Sequence, residues 1–139
     1  MKEAEISRII AQVKNLLISE NFKVEILYKK FKHKEQELLE KIIEAKMRKD
    51  EMRALMYARE LATVREILRR ISRIQLIFER AMIRLETIEI FGDYRSKIIP
   101  LNDLILNLKL EMKGTLPKLS YKLNRIEKHI HELLAELTV

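Results

Sequence analysis

Ala45-Lys46-Met47-Arg48-Lys49-Asp50-Glu51-Met52-Arg53-Ala54 is the stretch on which the fold turns. Its centre, Arg48 to Glu51, is four charges in a row between two long amphipathic series. Upstream, apolar residues recur at Ile6, Ile10, Val13, Leu17, Val24, Leu27, Phe31, Leu38, Ile42 and Ala45, with misses at Glu20 and near Lys34. Downstream the series runs Leu61, Val64, Leu68, Ile71, Ile74, Phe78, Met82, Leu85. Spacings of three and four put each set on one stripe of a helix. Asp50 is a candidate N-cap for the second. Two such stripes joined by a short polar turn predict an antiparallel hairpin, with helix over 1–47 and 51–91. Roughly forty residues of helix extend about 60 Å. A single unbroken helix stays open as the alternative, because no residue from Arg48 to Glu51 forbids it, although both stripes would then stay wet. Ser19-Glu20-Asn21 is either a break or a soft spot. Ala54, Ala58, Ala62 and Ala81 are expected to allow close helix approach, and Met47, Met52 and Met56 to fill the core near the turn.

From Met1 to Phe91 there is neither glycine nor proline, and the 139 residues hold only two of each. Sheet-rich folds need turn residues far more often. The expected class is all-α: a long antiparallel helical hairpin with two or three shorter helices packed against it. With 47% hydrophobic residues there is material for one sizeable core, so 1–139 is read as a single domain. Gly92 suits a helix C-terminus. Pro100 opens an apolar-rich segment with Leu101, Leu104, Ile105, Leu108 and Met112 on one face, read as helix over 98–113. After Gly114-Thr115-Leu116-Pro117 a last helix is read over 118–137, its stripe being Leu119, Leu123, Ile126, Ile130, Leu133 and Leu137.

No apolar run approaches the ~20 residues of a spanning helix, and the acidic start lacks a secretory signal's apolar segment. Cysteine is absent, which excludes disulfides and thiolate chemistry. His131-Glu132-Leu133-Leu134-Ala135 is half a zincin motif, with Ala135 where the second histidine belongs. His129 and His131 point to different faces, and none of the three histidines is preceded three residues earlier by glutamate, as di-iron bundles require. No enzyme, cofactor, catalytic residue or metal site is expected, nor a small-molecule substrate.

The net charge of +7 is uneven. Residues 1–84 carry 20 basic against 13 acidic side chains, and residues 85–139 carry 8 of each. On a uniform helical wheel Arg59, Arg65, Arg69, Arg73, Arg80 and Arg84 form one stripe opposite the apolar series, interrupted only by Glu66. Lys23, Lys29, Lys30, Lys32 and Lys34 form a second cluster. A solvated face is the bland explanation, but pairing at i,i+4 would favour mixed signs. These residues are therefore candidates to face a polyanion. At an anionic bilayer each basic side chain contributes on the order of 1 kcal/mol, so firm attachment needs the avidity of an array. Nucleic acid is the competing polyanion. Against base stacking, the eight aromatics mostly fall at or beside core positions; non-specific phosphate contact stays open.

Glu37-Leu38-Leu39-Glu40-Lys41-Ile42-Ile43-Glu44-Ala45, Lys49-Asp50 and Ala54-Leu55-Met56-Tyr57-Ala58-Arg59-Glu60-Leu61-Ala62-Thr63-Val64-Arg65, taken with Arg84-Leu85-Glu86-Thr87-Ile88 and Gly114-Thr115-Leu116-Pro117, resemble the core of an archaeal ESCRT-III protein of the CdvB type. The resemblance covers roughly Val24 to Arg125. It implies a four- or five-helix core that polymerises with itself and with paralogs into filaments on anionic membranes, for constriction or scission in cytokinesis. It also implies a cytoplasmic, peripheral location on the inner face of the membrane at the division site. Hinges are expected around Gly92 and Gly114, where a folded-back monomer would open. Family members carry membrane-meeting residues before the first helix and a C-terminal ATPase-recruiting extension. Here the first helix is expected within five residues of Met1 and the sequence ends at Val139, so an AAA ATPase is expected to act only indirectly. A basic helical nucleic-acid-binding protein and a non-polymerising helical adaptor are the alternatives.

Overall fold

The computed structural model describes residues 2–91 and 94–138, with side chains at 3–90 and 98–136. Five helices follow one another: α1 (Lys2–Met47), α2 (Glu51–Phe91), α3 (Tyr94–Thr115), α4 (Pro117–Ser120) and α5 (Leu123–Thr138). No strand occurs among the described residues. The class is all-α. The chain divides into two compact units, one of Val24–Arg73 and one of Met1–Lys23 with Ile74–Val139, so α1 and α2 each contribute to both.

The charged turn breaks the helix without glycine or proline. The Asp50 N–H donates to the Ala45 carbonyl at 2.9 Å and the Lys49 N–H to the Lys46 carbonyl at 3.1 Å, while Lys49 takes φ 57°. This is a Schellman ending, with lysine in the left-handed position that glycine usually fills. Asp50 then caps α2, its Oδ1 accepting the Arg53 N–H at 3.1 Å. One residue closes α1 and opens α2, and the hairpin reading holds over the unbroken helix.

In the Val24–Arg73 unit the two helices meet along a thin seam. Leu38, Leu61, Val64 and Leu68 are its buried centre, flanked by half-buried Tyr28, Phe31, Leu39, Ile42 and Tyr57. Ala54 is buried here and Ala81 in the other unit, but Ala58 and Ala62 are exposed, so only two of the four alanines mark close approach. The methionines are likewise not filler. Met47 and Met52 are 80% and 86% exposed, and with Ile43, Leu55 and Met56 they leave the turn capped by apolar surface.

The other unit holds the thicker core. Ile98, Leu101, Ile105, Leu108 and Met112 of α3 are fully buried, as are Leu123, Ile126, Ile130 and Leu133 of α5, Val13 and Leu17 of α1, and Phe78, Leu85 and Ile88 of α2. Each such side chain contributes about 1.5–3 kcal/mol by leaving water. α1 runs unbroken through Ser19-Glu20-Asn21. Glu20 occupies a seam position and is 4% exposed, with Lys23 Nζ 3.2 Å from Oε1 and no hydrogen-bond partner at Oε2. α3 begins at Tyr94 rather than at residue 98, with Pro100 inside it. The last segment is split into α4 and α5 because Lys122 and Asn124 donate to the Leu119 and Tyr121 carbonyls, three residues back. The Ser120 hydroxyl reinforces the bend by donating to the Pro117 carbonyl at 3.0 Å.

Candidate polyanion-facing surface

The basic side chains of the Val24–Arg73 unit fall into two states. Some are held. Glu35 on α1 accepts from Lys32 at 3.3 Å and from Arg65 at 3.1 Å, joining the lysine cluster to the α2 arginines. Those hydrogen bonds, Arg65 first and then Lys32, hold its carboxyl below the usual carboxylate range. Glu66 takes Arg69 at 2.6 Å and Arg70 at 3.3 Å and is held low in the same way, mainly by Arg69. Lys29 and Lys34 each lie 3.6 Å from a carboxylate, Glu25 and Glu37 respectively. Lys41, Lys46, Arg48 and Arg53 are held too, by Glu37, Glu51, Glu44 and Asp50 at 3.4, 2.9, 2.6 and 3.5 Å. A few are free. Among the described residues no carboxylate stands within ion-pair distance of Lys30, Arg59 or Arg73, and all three are exposed.

The stripe drawn on a uniform wheel does not survive packing. Buried α2 positions alternate by three and four through Leu61, Val64, Leu68 and Ile71, then step by only three to Ile74 before resuming at Phe78, Ala81, Leu85 and Ile88. A three-residue step turns the seam around the helix. Arg59 and Arg73 therefore lie opposite their seam, whereas Arg80 and Arg84 lie on its flank. Arg84 is half-buried and Arg80 exposed, and neither has a carboxylate within ion-pair distance among the described residues. Together with Pro100, Asp103, Leu104 and Asn107 they line a surface groove of about 260 Å³. The step falls at Arg73/Ile74, the boundary of the two units.

Lys23 belongs with neither group. It sits between Glu20 and Lys122, whose ammonium is pushed below its ordinary value chiefly by Lys23. Of the expected hinges, Gly92 lies outside the described residues. Gly114 is in the last turn of α3, where an added Cβ would meet no atom within 4 Å. Sequence reasoning missed Arg70, Asp103 and Asn107. Arg70 was legible as the i+4 neighbour of Glu66; the other two needed the α2–α3 packing. His129 Nδ1 is 3.6 Å from Glu132, and no group of three or more His, Asp or Glu able to hold a metal ion occurs among the described residues.

Over 114 residues, 82% of its length, the chain is 32% identical to cell division protein B1 of Sulfolobus acidocaldarius. Over 135 residues it is 20% identical to cell division protein B of the same organism. The chain belongs to the CdvB-type ESCRT-III family. This CdvB-type chain spans about half the length of the curated relatives it matches, 53% and 52%. No protein-family model matches it, and neither does any solved structure. No helix among the described residues of the CdvB-type chain is long and apolar enough to cross a membrane.

Proposed function

We propose that the chain is a filament-forming, membrane-remodelling subunit of archaeal cell division, assembling on anionic membranes for constriction or scission. Membership in a family whose relatives are named for cell division supports the setting. The observation that carries the membrane reading is the pair of unsatisfied arginines, Arg59 and Arg73, on the solvent side of α2 with Lys30 free on α1. Cations lacking internal partners keep their full attraction for an anionic surface, whereas Arg69 and Arg70 have spent theirs on Glu66. A single molecule then binds weakly and a polymer binds firmly. In this reading the chain polymerises with itself and its paralogs and acts peripherally on the inner face of the membrane at the division site. Gly114 serves as a hinge, since no packing requires glycine there and glycine costs a helix about 0.5–1 kcal/mol relative to alanine.

The test is liposome sedimentation of the Arg59→Glu/Arg73→Glu variant with electron microscopy of the pellets. Losing two contributions of about 1 kcal/mol each predicts roughly thirtyfold weaker binding, with helicity unchanged. Filaments or tubules on anionic liposomes at low salt are expected of the parent chain. Undiminished binding by the variant would overturn the assigned face. Salt-sensitive binding to duplex DNA but none to matched anionic lipid would replace the reading with a nucleic-acid one. A strict monomer at high concentration would replace it with an adaptor.

A further inference from the structure

The Arg80–Arg84 groove has properties that the solvent-facing stripe lacks. Of the five other half-buried lysines, Lys14, Lys23, Lys41 and Lys109 have carboxylates at 3.8, 3.2, 3.4 and 3.2 Å. Lys122 has none among the described residues, and its ammonium is pushed below its ordinary value by Lys23, a relief that a guanidinium does not have. Arg84 is half-buried with none among the described residues. Partial burial of an unpaired guanidinium is unfavourable unless an anion joins it. Arg80, one turn earlier on α2, opens onto the same groove. Asp103 lines the groove too yet stands beyond ion-pair distance of either arginine, so it is not their counter-ion. Leu104 and Pro100 give the groove an apolar part, and Asn107 adds a carboxamide.

We propose that this groove between α2 and α3 binds the phosphate of a polyol phosphate, with Arg80 and Arg84 on the phosphate and Asp103 on a hydroxyl. Guanidinium groups offer paired N–H donors that match phosphate oxygens. Asp103 selects the rest of the ligand. A bare phosphate gains from the arginines but is repelled by the carboxylate, whereas a hydroxyl beside the phosphate turns that carboxylate into an acceptor. A volume of about 260 Å³ is just under the roughly 300–1,000 Å³ of drug-sized pockets and fits a headgroup-sized ligand. The polyol phosphate is either a lipid headgroup, an arm that rests on the membrane reading above, or a free ester.

Calorimetric titration of the full chain with myo-inositol 1-phosphate and with inorganic phosphate tests the site. Saturable binding is expected, with the inositol ester held about fivefold or more the tighter. Arg80→Gln with Arg84→Gln should weaken the ester about tenfold or more, and Asp103→Asn should erase the preference for it. If the double variant does not fold, Arg80→Gln alone, at an exposed position, carries the same comparison. Absence of saturation, unchanged affinity in the arginine variants, or equal tightening of both anions by Asp103→Asn would each overturn the proposal. Vesicles of phosphatidylcholine doped with phosphatidylinositol, against phosphatidylserine at matched charge, separate the sources. A phosphatidylinositol preference lost in the groove variants supports the lipid headgroup; ester binding without that preference supports the free ester. The Arg59→Glu/Arg73→Glu variant should lose vesicles while keeping the inositol ester, so each proposal can fail without the other.

Discussion

Glu35 ties the two helices of the Val24–Arg73 unit together, holding Lys32 beside it on α1 and Arg65 across the seam on α2. Its folded-state acidity has a defined consequence for pH dependence. The folded value lies below the unfolded one, about 4.3, so the stabilisation is complete above that value and is lost as pH falls through the lowered range. Glu35→Gln is therefore expected to melt below the parent at pH 6, with the gap closing as pH drops below about 4. Thermal circular dichroism at stepped pH reads this, and a gap that stays constant would detach Glu35 from the acid sensitivity. Glu20 obeys different physics. A carboxylate buried in a seam with one oxygen unpartnered is a poor source of stability.

Among the elements, the α1–α2 turn is the one that sequence patterning could place but not explain. The two stripes and the Asp50 cap were legible because amphipathic period and capping chemistry are local. The left-handed lysine was not, since lysine carries no such preference and adopts it here under the pull of two helices closing on each other. Lys49 makes no ion pair among the described residues, so Lys49→Gly removes strain and no contact. It should stabilise the fold by about 1 kcal/mol, seen as a rise of roughly 3 °C in melting midpoint; a fall would mean the lysine side chain matters there. The basic stripe was legible only in part, for a related reason. A wheel assumes a constant angle per residue, but the seam fixes what is inside, and its short step at Ile71–Ile74 carried Arg80 and Arg84 to the flank. The division of the last helix likewise rests on three-residue hydrogen bonds at Ser120 to Asn124, which no apolar spacing announces.

At the scale of the molecule, charge and core are apportioned in opposite senses. The Val24–Arg73 unit holds 14 basic against 9 acidic side chains, most of the chain's excess, on a seam with few fully buried residues. The other unit holds the fully buried Phe78 and the α3 and α5 stripes, with a charge excess of only +2. Excess positive charge is concentrated where packing is thinnest. The methionines follow the same division. Met112 is wholly enclosed in the thicker core, while Met47 and Met52 stand almost bare at the turn. Dilute peroxide should therefore convert Met47 and Met52 to sulfoxides well before Met112, as peptide mass spectrometry would record, and comparable rates at all three would contradict the burial pattern. Each added sulfoxide oxygen would make the hairpin's end hydrophilic, so a cell's exposure to oxidants would be written first on that end, before any damage reached the core.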